Sequence, residues 1–178
     1  MNLLNKAEYF VQDITIADAL FWDFAACLSP VDHQESDAII PGQLITRLQD
    51  SVEHSAYVKA AIARTEAGSV LPMCLFGCMH VRDEVWAPWY VQTKYADGSY
   101  VFAKRLVLFS SMYLAAMLGT ATAIHWREGR PGRPVLENYI WEESDTALAY
   151  CERLGFEVSD YGVAGTEGNV FKKVRFTI

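Results

Sequence analysis

The stretch from Val135 to Val158 leaves this chain few ways to fold. Val135 to Trp141 is a short apolar strand. Ser144 to Leu154 then places Ala147, Leu148, Cys151 and Leu154 on one helical face. Ser144 is a residue type that caps a helix start, and Gly155 suits the left-handed turn past a helix end. A strand pair closes the chain, Phe156 to Tyr161 and Val170 to Ile178, with Val174, Phe176 and Ile178 alternating onto one side. Strand, capped helix and strand in this tight spacing require a sheet with a helix packed on it.

The rest of the chain extends that sheet. Tyr9 to Ile14 reads as a first strand, and Thr15 with Asp18 marks a helix start. That helix, through Phe21, Trp22 and Phe24, ends before Ser29-Pro30. A polar stretch from Asp32 to Asp37, holding His33 and Glu35, reads as a solvated loop leading to Pro41-Gly42. Leu44, Ile45, Leu48 and Val52 share one face of the next helix. Tyr57 to Thr65 and Val70 to Val81 form a hairpin around Glu66-Ala67-Gly68-Ser69. Glu84 to Thr93 is a strand rich in Trp and Tyr, where Pro88 marks a bulge or an interrupted ladder. After the loop Tyr95 to Ser99, a long apolar helix starts near Val101, and Arg127 to Pro134 is a linker. The order predicts a single domain over residues 1–178, a mixed sheet with helices on both faces.

Composition narrows the function classes. The 178 residues carry a net charge of −7, with a pI near 5.0. That balance argues against nucleic acid and against an anionic membrane as partners. The first residues lack the pattern of a secretory leader, and four unevenly spaced cysteines suit a reducing cytosol. Leu106 to Ile124 is uncharged and about as long as a membrane span. Its Ser110, Ser111, Gly119, Thr120 and Thr122, and its central position, favour a helix buried against the sheet. Clean solubility without detergent would count against membrane insertion of this segment.

No metal site is expected. Cys74, Cys78 and His80 would lie on one side of a strand, but the two thiols would be roughly 13 Å apart. Zinc–sulfur bonds are about 2.3 Å, so one ion cannot reach both. His125 ends the long helix, where an imidazole favours the dipole. Trp86, Trp89 and Tyr90 serve either core packing or an aromatic cleft.

In its order and its late motif the chain resembles the GNAT superfamily of acyl-CoA-dependent N-acetyltransferases. The frame is carried by Ser144, Ala147, Cys151, Gly155 and Phe156, with Ser and Cys where the family commonly has Asn and Tyr. Asn138-Tyr139-Ile140, with Pro88-Trp89 ahead of the long helix, is similar to a divergent GNAT-like family of short-tailed bacteriophages, the internal virion or assembly proteins. Correspondence is good from Val85 to Val158. The resemblance implies a GNAT-like α/β (α+β) fold with a mixed, mostly antiparallel sheet. It also implies acetyl-CoA as cofactor, a small amine as substrate, and phage or host proteins as partners. The implied location is the host cytoplasm or the virion.

Applied residue by residue, the resemblance gives Glu84 as the base and Cys151, or Tyr139 on the preceding strand, as the acid. Cys151 also sits on an apolar helix face, as a small core residue would. Tyr150 is one position off and points about 100° away on an ideal helix. In an active enzyme Lys94, Gly98, Ser99, Lys104 and Arg105, with Ser144, would hold the cofactor. A phosphate loop needs small residues so that backbone N–H groups approach the oxygens. Gln92 to Tyr100 has no register with two of them correctly spaced, and Asp97 is negative. Weak or absent acetyl-CoA binding is the expectation, with a degenerate cofactor site and action through protein contacts in virion assembly or infection. The alternative is an active, divergent N-acetyltransferase.

Overall fold

Two apolar surfaces, one on each side of a sheet, organise this molecule. The computed structural model describes residues 4, 6–97 and 99–177. In chain order the elements are β1 (Glu8–Asp13), α1 (Ala19–Ala25), α2 (Pro30–Ile39), α3 (Leu44–His54), β2 (Ser55–Arg64) and β3 (Val70–Arg82). There follow β4 (Val85–Gln92), α4 (Tyr100–Arg127), β5 (Val135–Trp141), α5 (Asp145–Arg153), β6 (Glu157–Ala164) and β7 (Val170–Phe176). The strands form one seven-stranded sheet in the order β1-β2-β3-β4-β5-β7-β6. Every pairing is antiparallel except β4 with β5.

Alternation along β3 sends neighbouring residues to opposite cores. Leu75 packs with Phe21, Phe24, Leu48 and Val52 of α1 and α3. Cys74, Phe76 and Cys78 pack on the other side with Phe102, Met117 and Ala121 of α4, joined by Leu148 and Cys151 of α5. The mixed sheet with helices on both faces is therefore as the sequence predicts.

Several local expectations change. The polar stretch is helix α2, not a loop. Ser29 caps it by accepting from the Val31 N–H at 3.1 Å, and Pro30 occupies the first turn. His33 is exposed on this helix. Ser144 precedes α5 as expected, but its side chain makes no capping bond. Asp18 precedes α1, yet its carboxylate turns back to accept from the Thr15 N–H and hydroxyl. His125 is buried, its Nε2 placed 2.9 Å from the Pro131 carbonyl. Cys74 and Cys78 are free, buried thiols, and burial pushes Cys78 up to about 12. Among the described residues no helix is long and apolar enough to cross a membrane.

Candidate functional site

The site is set by where β4 and β5 part. They pair only at Val85–Val135 and Trp86–Leu136. The Thr93 N–H donates to Met73 of β3, so odd residues of β4 serve that ladder and even residues face β5. Pro88 is even: its missing N–H falls on the side where the strands separate, and the β3 ladder runs through it with Cys78 opposite. The interrupted ladder is the one with β5. There the Asn138 amide donates to the Pro88 carbonyl at 2.6 Å.

Further along, the same edge of β4 is covered by the chain itself. Ser29 N–H donates to the Gln92 carbonyl at 2.9 Å, and Gln92 N–H donates to the Asp32 carboxylate at 3.0 Å. Lys94 N–H donates to Cys27, and Leu28 bridges to Thr93. Helix α2 thus starts on β4. It ends near the β6–β7 connection, where the Thr166 hydroxyl donates to Ala38 at 2.8 Å.

The β4–α4 loop is also occupied internally. Tyr95 N–H donates to the Thr93 hydroxyl, the Ala96 and Asp97 N–H groups to the Thr93 carbonyl, and Ser99 N–H to Ala96. Ser99 is buried, and its hydroxyl oxygen accepts from Phe102 N–H. Asp97 is held by the Gln92 side chain at 2.6 Å. Gly98 lies outside the described residues.

Asp32 has an uncommon environment. Burial is the main reason its carboxyl is pushed up to about 7; the Gln92 N–H opposes this, while Glu35 and Asp97 reinforce it. The folded chain holds this proton more tightly than the unfolded chain, where a carboxyl titrates near ~3.9. The stability it contributes is therefore full below about pH 4 and lost as pH rises through about 7. Asp32→Asn keeps an acceptor for Gln92 and removes the charge. Urea melts of this variant should show a flatter pH dependence across that window and a gain on the order of 2 kcal/mol at pH 8. An unchanged slope would refute the assignment.

On the α4 side of the sheet the gap is lined by a polar group. The Tyr150 hydroxyl of α5 meets Ser110 of α4, and Ser110 also donates to Leu106. Tyr90 is partly exposed, but its hydroxyl is raised well above the usual phenol range by burial, with Cys74, Asp32 and Tyr150 adding to this. Burial likewise raises Tyr150.

The remaining sequence candidates are dispersed. Glu84 lies in the β3–β4 turn, where its carbonyl accepts from Val135 and the two strands are still joined. By strand rise it is about 26 Å from Gln92. Tyr139 is exposed and one step out of phase with Leu136 and Ile140, which pack into the α4 side. It therefore faces away from Cys151. Cys151 packs against that core, and burial pushes its thiol up to about 11. Lys94 stacks on Tyr95, Arg105 stacks on Tyr9, and Lys104 is exposed on α4. Tyr150, rather than the frame residue Cys151, brings a hydroxyl to the gap.

No family model matches the sequence, and no curated protein matches it closely enough to count. The fold has clear counterparts. A putative acetyltransferase from Acinetobacter baylyi superposes with a TM-score of 0.62 at 11% identity, covering 98% of this chain and 95% of that one. Spermidine N-acetyltransferase from Vibrio cholerae, solved with CoA and spermine, gives 0.57 at 9% identity, covering 94% of each chain. A GNAT superfamily phosphinothricin acetyltransferase from Sinorhizobium meliloti, solved with AcCoA, gives 0.51 at 13% identity, covering 94% and 87%. The chain has the GNAT acetyltransferase fold.

Proposed function

We propose that this is a GNAT-fold protein whose acyl-CoA cleft is filled by its own chain and which acts through protein contacts. The observation that carries this reading is Gln92, whose two cleft-facing backbone groups are bonded to Ser29 and Asp32. A cofactor spanning from the β4–α4 loop to the strand separation has to run along that edge. Its pyrophosphate would also meet Asp97, with Asp32 and Glu35 nearby, and the loop amides 94–97 and 99 are already donating. Like charges and consumed donors both oppose an anion there. The Asn138-Tyr139-Ile140 resemblance supports a setting in the assembly or infection of a short-tailed phage, with phage or host proteins as partners.

Two observations favour a second reading, an active divergent acyl-CoA-dependent N-acetyltransferase: the strands do part, and Tyr150 places a hydroxyl beside the gap. Thiol release from acetyl-CoA over a panel of polyamines, amino acids and peptides separates the two. The first reading expects no rate above spontaneous hydrolysis. Saturable, amine-dependent release that Tyr150→Phe abolishes would establish the second.

A further inference from the structure

The outer face of α4 is not covered by the sheet or by other helices. Met112 is 55% exposed and Trp126 75%, with Ala115 and Gly119 exposed between them. Their spacing of three and four residues puts them on one stripe of the helix. Ala115, Gly119, Ala123 and Trp126 line a shallow, open, apolar depression on this face. From Leu106 to Trp126 the helix carries no Asp, Glu, Lys or Arg.

Charge is segregated around this face. Between Ser99 and Pro134 stand Lys104, Arg105, Arg127, Arg130 and Arg133 and a single acid, Glu128. Glu128 is already paired with Arg130 at 2.7 Å. The chain as a whole has 15 Lys and Arg against 22 Asp and Glu, so this segment is a cationic exception in an acidic protein. The cations sit at both ends of the helix and the uncharged surface lies between them. A second copy pairing along α4, parallel or antiparallel, would set cations against cations. An anionic, planar partner with an apolar interior satisfies both features. Trp near the end of an apolar stripe and cations flanking it are the pattern of a helix lying in a bilayer interface.

We propose that the outer face of α4 docks peripherally on an anionic lipid bilayer, with Met112 and Trp126 at the acyl-chain boundary and Lys104, Arg105, Arg127 and Arg133 among the headgroups. Docking of this kind needs no spanning helix. The acidic remainder of the chain stays in water, so the overall charge of −7 does not oppose it beyond a Debye length of about 8 Å.

The test is co-sedimentation of the full chain with phosphatidylcholine vesicles and with vesicles of equal parts phosphatidylcholine and phosphatidylglycerol. The expected result is binding to the anionic vesicles, little to the neutral ones, and weakening at about 0.5 M salt. Met112→Ser with Trp126→Ser should lower the bound fraction about tenfold, and so should Lys104→Glu with Arg127→Glu, with thermal melts unchanged because all four side chains are exposed. Absence of binding to anionic vesicles overturns the proposal, as does binding that both double variants leave intact. Light scattering that shows a dimer lost in Met112→Ser with Trp126→Ser also overturns it, assigning the face to a second copy.

Discussion

Replacing Trp86 by alanine is expected to cost about 3–5 kcal/mol of folding free energy. Trp86 is 1% exposed and, among the described residues, the largest fully buried side chain. It belongs to the last pair that β4 makes with β5, opposite Leu136, and its ring meets His80 edge-on at 5.1 Å. Truncation would open a cavity at the point where the two halves of the sheet are still joined. The loss therefore falls on the junction that fixes the strand separation. Trp86 also buries an indole N–H with no hydrogen-bond partner. Trp86→Phe removes that unpaired donor while keeping most of the volume, so its cost should stay below about 1.5 kcal/mol. Urea unfolding of both variants checks the pair. Equal losses would contradict the cavity argument.

Gly77→Ala should be nearly as damaging, at about 2–4 kcal/mol. A Cβ at Gly77 would lie 2.6 Å from the Trp89 ring and 2.6 Å from the backbone carbonyl of Tyr57. Tyr57 belongs to β2, the strand paired with β3, so its carbonyl cannot move without disturbing the ladder. The Trp89 ring is held across the sheet by its donation to the Ser55 hydroxyl at 2.7 Å. Neither neighbour can yield cheaply. Gly119→Ala provides the opposite sign. An added Cβ there meets nothing within 4 Å on exposed helix α4, and removing an interior helical glycine should stabilise by up to about 1 kcal/mol. Thermal melts that place both substitutions on the same side of wild type would contradict this contrast.

The legible parts of the sequence were those with local physical signals. The turn residues between the apolar runs of β2 and β3, the alternation of Val174 and Phe176 in β7 and the one-sided stripe of α3 specify their elements directly. Pro88 predicts a bulge or an interrupted ladder, and its even register shows that the ladder with β5 is the one interrupted. Helix α2 looks like a loop in the sequence because its buried residues are Ser36 and Ala38, which give no hydrophobic stripe. Ser29-Pro30, a cap followed by a first-turn proline, was the available signal. The contact of Asp32 with Gln92 joins residues 60 apart in the chain, and no local pattern reports it. The choice between Tyr150 and Cys151 is set by how α5 docks against Ser110 of α4. A motif frame contains no information about that rotation.

The filled cleft is tested most directly by calorimetric titration of the full chain with acetyl-CoA. The Ser29 and Asp32 bonds to Gln92, the consumed loop amides and the nearby carboxylates predict no saturable heat up to about 1 mM cofactor, a limit of roughly 4 kcal/mol of binding free energy. Binding with a micromolar Kd, which needs about 8 kcal/mol, would contradict the account. It would mean that the start of α2 leaves the β4 edge when acetyl-CoA arrives.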